Sequence, residues 1–236
     1  MTERVTSRRR GSYGIDAPYG PALIGAMALF YLVMAITSGR WRMVVPATLM
    51  LLLLGYYLHG TLRAKFVVWA GLLDQLHLRG DEQILDLGCG RGAVLLMAAQ
   101  HLTTGRAVGV DLWRSFDQSG NSLETTRRNA IAEGVADRVE LHTANMTALP
   151  FADSSFDVVV SSVAIHNISR RADREKAIEE AVRVLRPGGR LMIADVRATR
   201  QYREQLARSG MNEVGRRRLG WLWPAPLVTA TKPERS

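Results

Sequence analysis

A short apolar stretch followed by three closely spaced glycines constrains the fold of this chain more than any other feature. Residues 84–87 are apolar except for Asp86, the glycines follow at Gly88, Gly90 and Gly92, and a second apolar run begins at once. Glycine lets the backbone turn sharply and brings its N–H groups close to a ligand. The stretch therefore predicts a buried strand, a ligand-binding turn and the first turns of a helix.

Two details of this turn indicate which kind of ligand it holds. The spacing is Gly-x-Gly-x-Gly, whereas the dinucleotide fingerprint is Gly-x-Gly-x-x-Gly. A carboxylate two residues ahead of the first glycine repels a pyrophosphate and attracts a cation. We therefore expect a ligand that carries a cationic ammonium group.

From residue 80 onward, β and α patterns alternate, which is typical of a parallel sheet covered by helices. Strands are expected at 83–87, 106–110, 139–142, 156–161, 190–195, 213–222 and 227–230, and helices at 92–102, 123–133, 173–185 and 199–209. Pro187-Gly188-Gly189 is expected to form a turn before the fifth strand. The last two strands are joined by a short turn, so one of them should run antiparallel.

Two long uncharged runs precede this region, at 21–38 and 43–62, and each has about the length of a membrane span. A cleaved signal peptide fits poorly, because the second run follows within four residues of the first. Two buried helices in a soluble core also fit poorly, since a chain of 236 residues could hardly cover both on all sides. We therefore expect a transmembrane hairpin at 21–62, preceded by a basic, disordered segment at 1–20.

The basic residues near the two runs predict the orientation of the hairpin. Four arginines precede the first run, Arg63 and Lys65 follow the second, and only Arg40 and Arg42 lie between the runs. This distribution places both ends, and the domain expected at 80–236, in the cytoplasm, with the lipid bilayer as a partner. Small residues in and beside the first run would allow close packing between copies, which leaves a homo-oligomer through the hairpin open: Gly20, Gly25, Ala26 and Ala28.

Residues 63–79 form an amphipathic stretch between the hairpin and the expected domain. A helix with this pattern either lies along the lipid headgroups or packs on the sheet of the domain. Both interpretations stay open from the sequence.

Composition excludes several kinds of site. The single cysteine, Cys89, excludes a disulfide within the chain and a site built from several thiolates. No cluster of metal-ligating residues with a suitable spacing appears, so no metal is expected. The net charge of +9 includes three adjacent arginines at 216–218, but neighbouring residues of a strand point to opposite faces, so no nucleic-acid partner is expected.

Three further features surround the predicted binding turn. Asp111 ends the second strand, where a carboxylate can accept both hydroxyls of a ribose, so it predicts a nucleoside without choosing which one. The long connection at 112–122 is expected to form a lid or a wall of the site, with a surface excursion as the alternative. His166 follows the fourth strand and can take a proton near neutral pH, or else only bonds to loop backbone.

Together these motifs resemble the class I S-adenosylmethionine (SAM) methyltransferases. The resemblance rests on the glycine turn, on the block at 144–157 with Leu149-Pro150-Phe151, and on Pro187-Gly188-Gly189, in the family's order. Asn145 stands where the family usually has an aspartate, and its carbonyl can still accept from an adenine amino group. The resemblance covers about 80–232 and implies a Rossmann-like seven-stranded α/β sheet in the order 3-2-1-4-5-7-6, with strand seven antiparallel and helices on both faces.

The resemblance also implies SAM as the cofactor and S-adenosyl-L-homocysteine as its product. The residues expected to bind the cofactor are Asp86, Gly88, Cys89, Gly90, Gly92, Asp111, Leu112, Asn145, Met146 and Ser161. Those expected on the acceptor side are Trp113, Asn121, His166, Asn167, Asp195 and Arg197, with His166 as the catalytic candidate.

The hairpin lies outside the family pattern and favours a lipophilic acceptor. We therefore expect a membrane-anchored methyltransferase that acts on a lipophilic small molecule or a lipid. Two alternatives stay open: a nicotinamide-dependent oxidoreductase on a related fold, and a membrane-tethered protein that binds SAM without catalysis.

Overall fold

The computed structural model describes residues 9–221, 223 and 225–234. Disorder was predicted for 1–20, and its first eight residues lie outside the described part of the chain, as do two residues at 222 and 224 where the last predicted turn falls. All statements below concern the described residues.

A seven-stranded sheet in the order β3-β2-β1-β4-β5-β7-β6 forms the centre of the fold. The strands are β1 (Gln83–Leu87), β2 (Arg106–Asp111), β3 (Val139–Thr143), β4 (Phe156–Ser162), β5 (Leu185–Ala194), β6 (Asn212–Arg218) and β7 (Pro226–Thr231). Strand β1 pairs in parallel with β2 and β4, and β7 runs antiparallel to β5 and β6. The predicted strand order and the reversed seventh strand are confirmed.

Helices cover both faces of this sheet. One apolar cluster joins the sheet to α3 (Lys65–Asp74), α4 (Ala93–Gln100) and α5 (Leu123–Glu133), and the other joins it to α6 (Arg171–Val184) and α7 (Thr199–Arg208). In α4 almost every side chain is buried, which explains why its sequence is apolar without a polar stripe. Each fully buried leucine there stabilises the fold by about 1.5–3 kcal/mol.

The bounds of the elements follow local signals. Helix α5 coincides with its prediction, because the Ser122 side chain accepts from the N–H of Thr125 at its start and Gly134 adopts φ +72° at its end. The turn predicted at Pro187-Gly188-Gly189 does not precede the fifth strand. These residues lie inside β5, where Gly188 at φ +73° produces a register shift against β4.

Two apolar helices, α1 (Tyr19–Ser38) and α2 (Val44–His59), pack against each other away from the sheet. Both are long and apolar enough to cross a membrane when α2 is taken with its continuation, and only 11% and 6% of their most apolar windows are buried. The small residues of α1 face α2 within the chain: Gly20 lies near Tyr57, Gly25 near Leu54, and Ala28 is buried. The homo-oligomer stays a prediction.

The second apolar run was expected at 43–62 and the linker helix at 63–79, and in the structure the two form one helix. A π-helical turn at Gly60–Ala64 carries the helix without a break from α2 into α3, which ends at Asp74. Helix α3 packs on the sheet domain through Trp69, Leu72 and Leu73, all buried. Of the two interpretations left open for 63–79, the structure shows packing on the domain, and the indole of Trp69 donates to Ser162 Oγ at 2.9 Å.

The predicted disorder is wrong for residues 9–20. Residues 9–16, which we call the N-terminal strap, cross the domain and are held by polar contacts to α5 and the 112–122 connection. The Ser12 N–H donates to Asn129 Oδ1 at 2.9 Å, and the Tyr13 hydroxyl donates to Glu133 at 2.8 Å. Composition alone did not reveal this order, because the bonding partners are more than 100 residues away along the chain.

Candidate active site

A cavity of about 370 Å³ lies at the carboxyl ends of β1, β2 and β4. Ligands bind at this edge in open α/β sheets. Its walls come from the glycine turn, from the connections after β2, β3 and β4, and from the strap with the start of α3. The 112–122 connection lies along this wall, as the lid interpretation predicts, and contributes Leu112, Phe116 and Asn121.

The glycine turn is held tightly between neighbouring elements. The N–H groups of Gly88 and Cys89 donate to the carbonyl of Val110 at 2.8 and 3.1 Å, which ties the turn to β2. Gly88 has φ +73°, and a Cβ there would collide with the Cβ of Ala164 in the loop after β4. Both constraints require glycine at this position.

Asp111 organises the turn and the connection that follows β2. Its carboxylate accepts from the N–H of Gly90 at 2.8 Å, from the N–H of Trp113 at 2.6 Å and from the side-chain amide of Asn121 at 3.2 Å. A carboxylate has about four acceptor positions, so it retains capacity for a ligand hydroxyl.

Asp86 is the most unusual polar group of the site. Its side chain is 1% exposed, and its Oδ1 atom has no hydrogen-bond partner among the described residues. Burial, with a smaller contribution from Asp111, raises the pKa of this carboxyl to about 7, and a backbone hydrogen bond with Leu95 and the Lys65 ammonium oppose the rise. Asn121 carries a second buried oxygen, Oδ1, without a partner in the described structure. Two acceptors in the cavity wall thus lack donors.

Lys65 is a buried cation in the same cavity. Its Nζ atom lies 2.7 Å from Asp16 Oδ2, and its side chain is only 5% exposed. Asp16 also accepts from the Thr61 hydroxyl at 2.9 Å and from the Gln118 amide at 2.8 Å. This network joins the strap, the π-helical turn and the cavity wall.

His166 and Asp195 form a close pair beside the cavity. His166 Nδ1 lies 2.5 Å from Asp195 Oδ1. Asp195 is fully buried and is held by the N–H groups of His166 and Val196 at 2.9 and 2.8 Å and by the Tyr202 hydroxyl at 3.3 Å. The carboxylate therefore fixes the imidazole beside the cavity that His166 lines.

Most of the predicted site residues lie in the cavity wall. The structure brings together Asp86, Gly88, Cys89, Gly90, Asp111, Leu112, Asn121, Asn145, Met146, His166 and Asn167. Their spread over four loops is what the shared carboxyl edge of the strands predicts.

Five predicted residues lie outside this wall. Ser161 is buried and donates to the carbonyl of Leu87, and it is Ser162, on the opposite face of the strand, that lines the cavity. Asp195 acts through His166, and the Trp113 indole instead donates to Thr143. Gly92 and Arg197 are likewise absent from the cavity lining.

The sequence did not predict the contributions of Asp16, Tyr57 and Lys65 to the cavity. The burial of Lys65 could have been predicted from helical spacing, because it lies four residues before Trp69 on the buried face of α3. Asp16 had no such signal, since its contacts depend on the path of the strap.

Comparison with known proteins agrees with this geometry. Residues 85–193 match the family model described as a methyltransferase domain. The chain is 38% identical over 125 residues to the methyltransferase GfsG of Streptomyces halstedii, covering 53% of this chain and 41% of that protein. It is 36% identical over 124 residues to the ubiquinone/menaquinone biosynthesis C-methyltransferase UbiE of Roseobacter denitrificans, covering 52% and 46%.

These matches support the SAM-dependent methyltransferase family. The chain spans less than half the length of these two curated relatives. The fold of the seven-stranded domain is also that of a geranyl diphosphate methyltransferase solved in complex with SAM, with a TM-score of 0.57 at 18% identity over 72% of this chain and 86% of the other.

Among the described residues, no group of three or more His, Cys, Asp or Glu side chains is arranged to hold a metal ion.

Replacing Gly88 with alanine tests the tight packing of the glycine turn. Gly88→Ala should weaken SAM binding by more than about tenfold, because the added Cβ meets Ala164 and the left-handed backbone is strained. Gly134→Ala is the matched control, since Gly134 has nearly the same φ of +72° but no atom within 4 Å of an added Cβ. Calorimetry should show unchanged SAM affinity for the control, and equal affinities in both variants would contradict the packing.

The raised pKa of Asp86 predicts how SAM affinity changes with pH. An ammonium ligand needs the ionised carboxylate, so affinity should rise about tenfold between about pH 6 and 8. Without ligand, the folded protein keeps Asp86 protonated up to about pH 7, whereas the unfolded chain loses this proton near pH 4. The contribution of Asp86 to the free energy of unfolding is therefore full below about pH 4 and is lost as pH rises through about 7.

Asp86→Asn should abolish both dependences, while Asp137→Asn, at a side chain that is 75% exposed, should leave them unchanged. Calorimetry and thermal unfolding across this pH range measure them. A wild-type SAM affinity that does not vary with pH would show that Asp86 does not meet the ligand's cation.

Proposed function

We propose that this chain is a membrane-anchored methyltransferase that transfers a methyl group from SAM to a lipophilic small molecule or lipid. The observation that carries the proposal is the pair of opposite charges beside the glycine turn. Asp86 and Lys65 both line the cavity. The methionine end of SAM carries an ammonium and a carboxylate, which match this pair in sign.

The polar atoms of the cavity also fit the rest of SAM. The unpartnered Asp86 Oδ1 can accept from the ammonium, and the unpartnered Asn121 Oδ1 can accept from a ribose hydroxyl, together with Asp111. Lys65 has three N–H donors, of which Asp16 takes one, so its ammonium can also meet a carboxylate. Asn145 and Met146 lie in the wall where the adenine is expected.

The nicotinamide-dependent alternative fits the same cavity less well. A pyrophosphate at the glycine turn would lie near the Asp86 carboxylate, which lines the same cavity. The negative charges of the carboxylate and the phosphates repel each other, which opposes binding of the dinucleotide.

When bound, SAM supplies a methyl group already activated for transfer. The chain's own residues then align the acceptor with that methyl group and exclude water. Because Asp195 holds the imidazole through Nδ1, the Nε2 atom of His166 is the group that can take a proton from an acceptor hydroxyl, thiol or amine. The buried Asp195 carboxylate stabilises the imidazolium that results.

The apolar helices α1 and α2 support the membrane anchor. Their large apolar side chains are exposed rather than packed in a core, among them Leu23, Leu29, Phe30, Ile36, Leu49 and Leu52. Exposed residues of this kind in helices of this length are stable in lipid. A hairpin places the methyltransferase domain on the side of its ends, which the basic residues assign to the cytoplasm.

The relatives support a lipophilic acceptor. Two of them are a ubiquinone/menaquinone biosynthesis C-methyltransferase and a geranyl diphosphate methyltransferase. We extend this class of acceptor, quinone-like or isoprenoid, to the present chain.

Transfer of a labelled methyl group tests the proposal. The full chain in lipid vesicles is incubated with methyl-labelled SAM and either a membrane lipid extract or an aqueous metabolite extract. We expect label in the lipid extract. Label only in the aqueous extract would overturn the lipophilic acceptor, and SAM binding without transfer to either would favour the non-catalytic alternative.

The His166–Asp195 pair predicts a specific kinetic defect. His166→Gln should lower kcat by about 10²- to 10⁴-fold with little change in the KM for SAM, because proton removal is lost and cofactor binding is kept. Asp195→Asn should show a smaller loss of the same kind. His142→Gln, which removes a histidine outside the cavity, is the control. Full kcat in His166→Gln would exclude its role as a base.

A further inference from the structure

The methyltransferase domain carries exposed apolar side chains next to the hairpin. We call Leu112, Phe116, Val196 and Trp221 the apolar rim, and their exposed fractions are 43%, 67%, 52% and 77%. Single exposed apolar residues are common on proteins. These four are distinguished by what lies beside them, because three of them also line the cavity.

Two loops of the rim contact the ends of the apolar helices. The Phe116 ring lies 4.8 Å from the ring of Tyr19, the first residue of α1. The Tyr56 hydroxyl, near the end of α2, donates to the carbonyl of Trp221 at 2.6 Å. The rim is therefore continuous with the surface of the hairpin on both helices.

The cavity itself reaches this boundary. Tyr57 of α2 lines the cavity, and its hydroxyl donates to the carbonyl of Asp16 at 2.8 Å. Leu53, which is 45% exposed, lies one turn earlier, about 6 Å along the helix axis. The cavity wall thus lies about one helical turn from side chains that face outward on the hairpin.

We propose that the apolar rim lies in the headgroup layer of the bilayer, so that the cavity opens onto the membrane. The acceptor then enters sideways, with its reactive head in the cavity and its apolar tail still in the lipid. This inference rests on the membrane anchor proposed above. It goes beyond the anchor, because an anchored domain could also lie entirely in the aqueous phase without contacting the headgroups.

The charges around the rim fit this position. Two exposed arginines lie within the rim segments: Arg114 stands between Leu112 and Phe116, and Arg197 follows Val196. Arginines next to aromatic side chains are typical of the interface with anionic lipids. The surface that fits the rim is therefore an anionic bilayer.

Spin labels at single cysteines test this position in the full chain. The native Cys89 is buried and its thiol pKa is well above the ordinary value, so added surface cysteines can be labelled selectively. Phe116→Cys and Trp221→Cys report on the rim, and Phe30→Cys, at a 60% exposed site of α1, reports on the anchor. Ile131→Cys is the aqueous control, at a 63% exposed site on α5.

The protein is placed in vesicles of equal parts phosphatidylcholine and phosphatidylglycerol, and label relaxation by oxygen and by a water-soluble nickel chelate is compared. We expect labels at 116 and 221 to favour oxygen over the chelate, between the values at 30 and 131. If both behave like the label at 131 while 30 stays in lipid, the inference is overturned and the anchor stands. If 30 is also aqueous, the anchor fails and the inference with it.

A native-like variant provides a second measurement. Trp221→Phe should reduce the fraction of tryptophan fluorescence that lipids brominated near the headgroup quench, with SAM affinity unchanged because Trp221 lies outside the cavity wall. An unchanged quenched fraction would contradict the proposed position of the rim.

Discussion

The burial of the Asp86 carboxylate is the constraint on which the rest of the site depends. Burying a carboxylate with one oxygen, Oδ1, that has no hydrogen-bond donor among the described residues is costly, and burial raises its pKa to about 7. The group is held there because β1 is a central strand with partners on both sides and because the glycine turn closes over it. Lys65 is the compensating charge, and it comes from a helix that continues the apolar hairpin. A cationic ligand would supply the missing donor.

This arrangement joins the cavity physically to the two apolar helices. Asp16 connects the cavity to these helices. It accepts hydrogen bonds from Lys65 and Gln118 in the cavity wall and from the Thr61 hydroxyl in the π-helical turn. The continuous helix from α2 into α3 gives this connection a rigid backbone, because α3 is anchored in the apolar core by Trp69. The domain is therefore held in a defined position relative to the hairpin.

Much of the fold could be predicted from the sequence because its signals are local or periodic. Strand β1 and helix α5 have the predicted bounds, the latter because Ser122 and Gly134 mark its two ends. The strand order followed from the family's motifs. The cavity residues at the ends of strands were predictable for the same reason, since parallel strands bring their carboxyl ends to one edge.

The remaining features depend on contacts between distant parts of the chain. The order of the strap requires Asn129 and Glu133, and composition cannot reveal such pairings. Ser161 was predicted to line the site, but its neighbour Ser162 does. A shift of one residue along a strand moves a side chain to the opposite face. The sequence did not reveal that the second apolar run continues into the linker helix, because a π-helical turn absorbs Gly60 without ending the helix.

Calorimetric titration of the full chain with SAM, S-adenosylhomocysteine and NAD tests the central claim most directly. The paired charges of Asp86 and Lys65 predict that SAM and S-adenosylhomocysteine bind, that Asp86→Asn and Lys65→Met both weaken them, and that NAD does not bind. Tight binding of NAD with no binding of SAM would contradict the account.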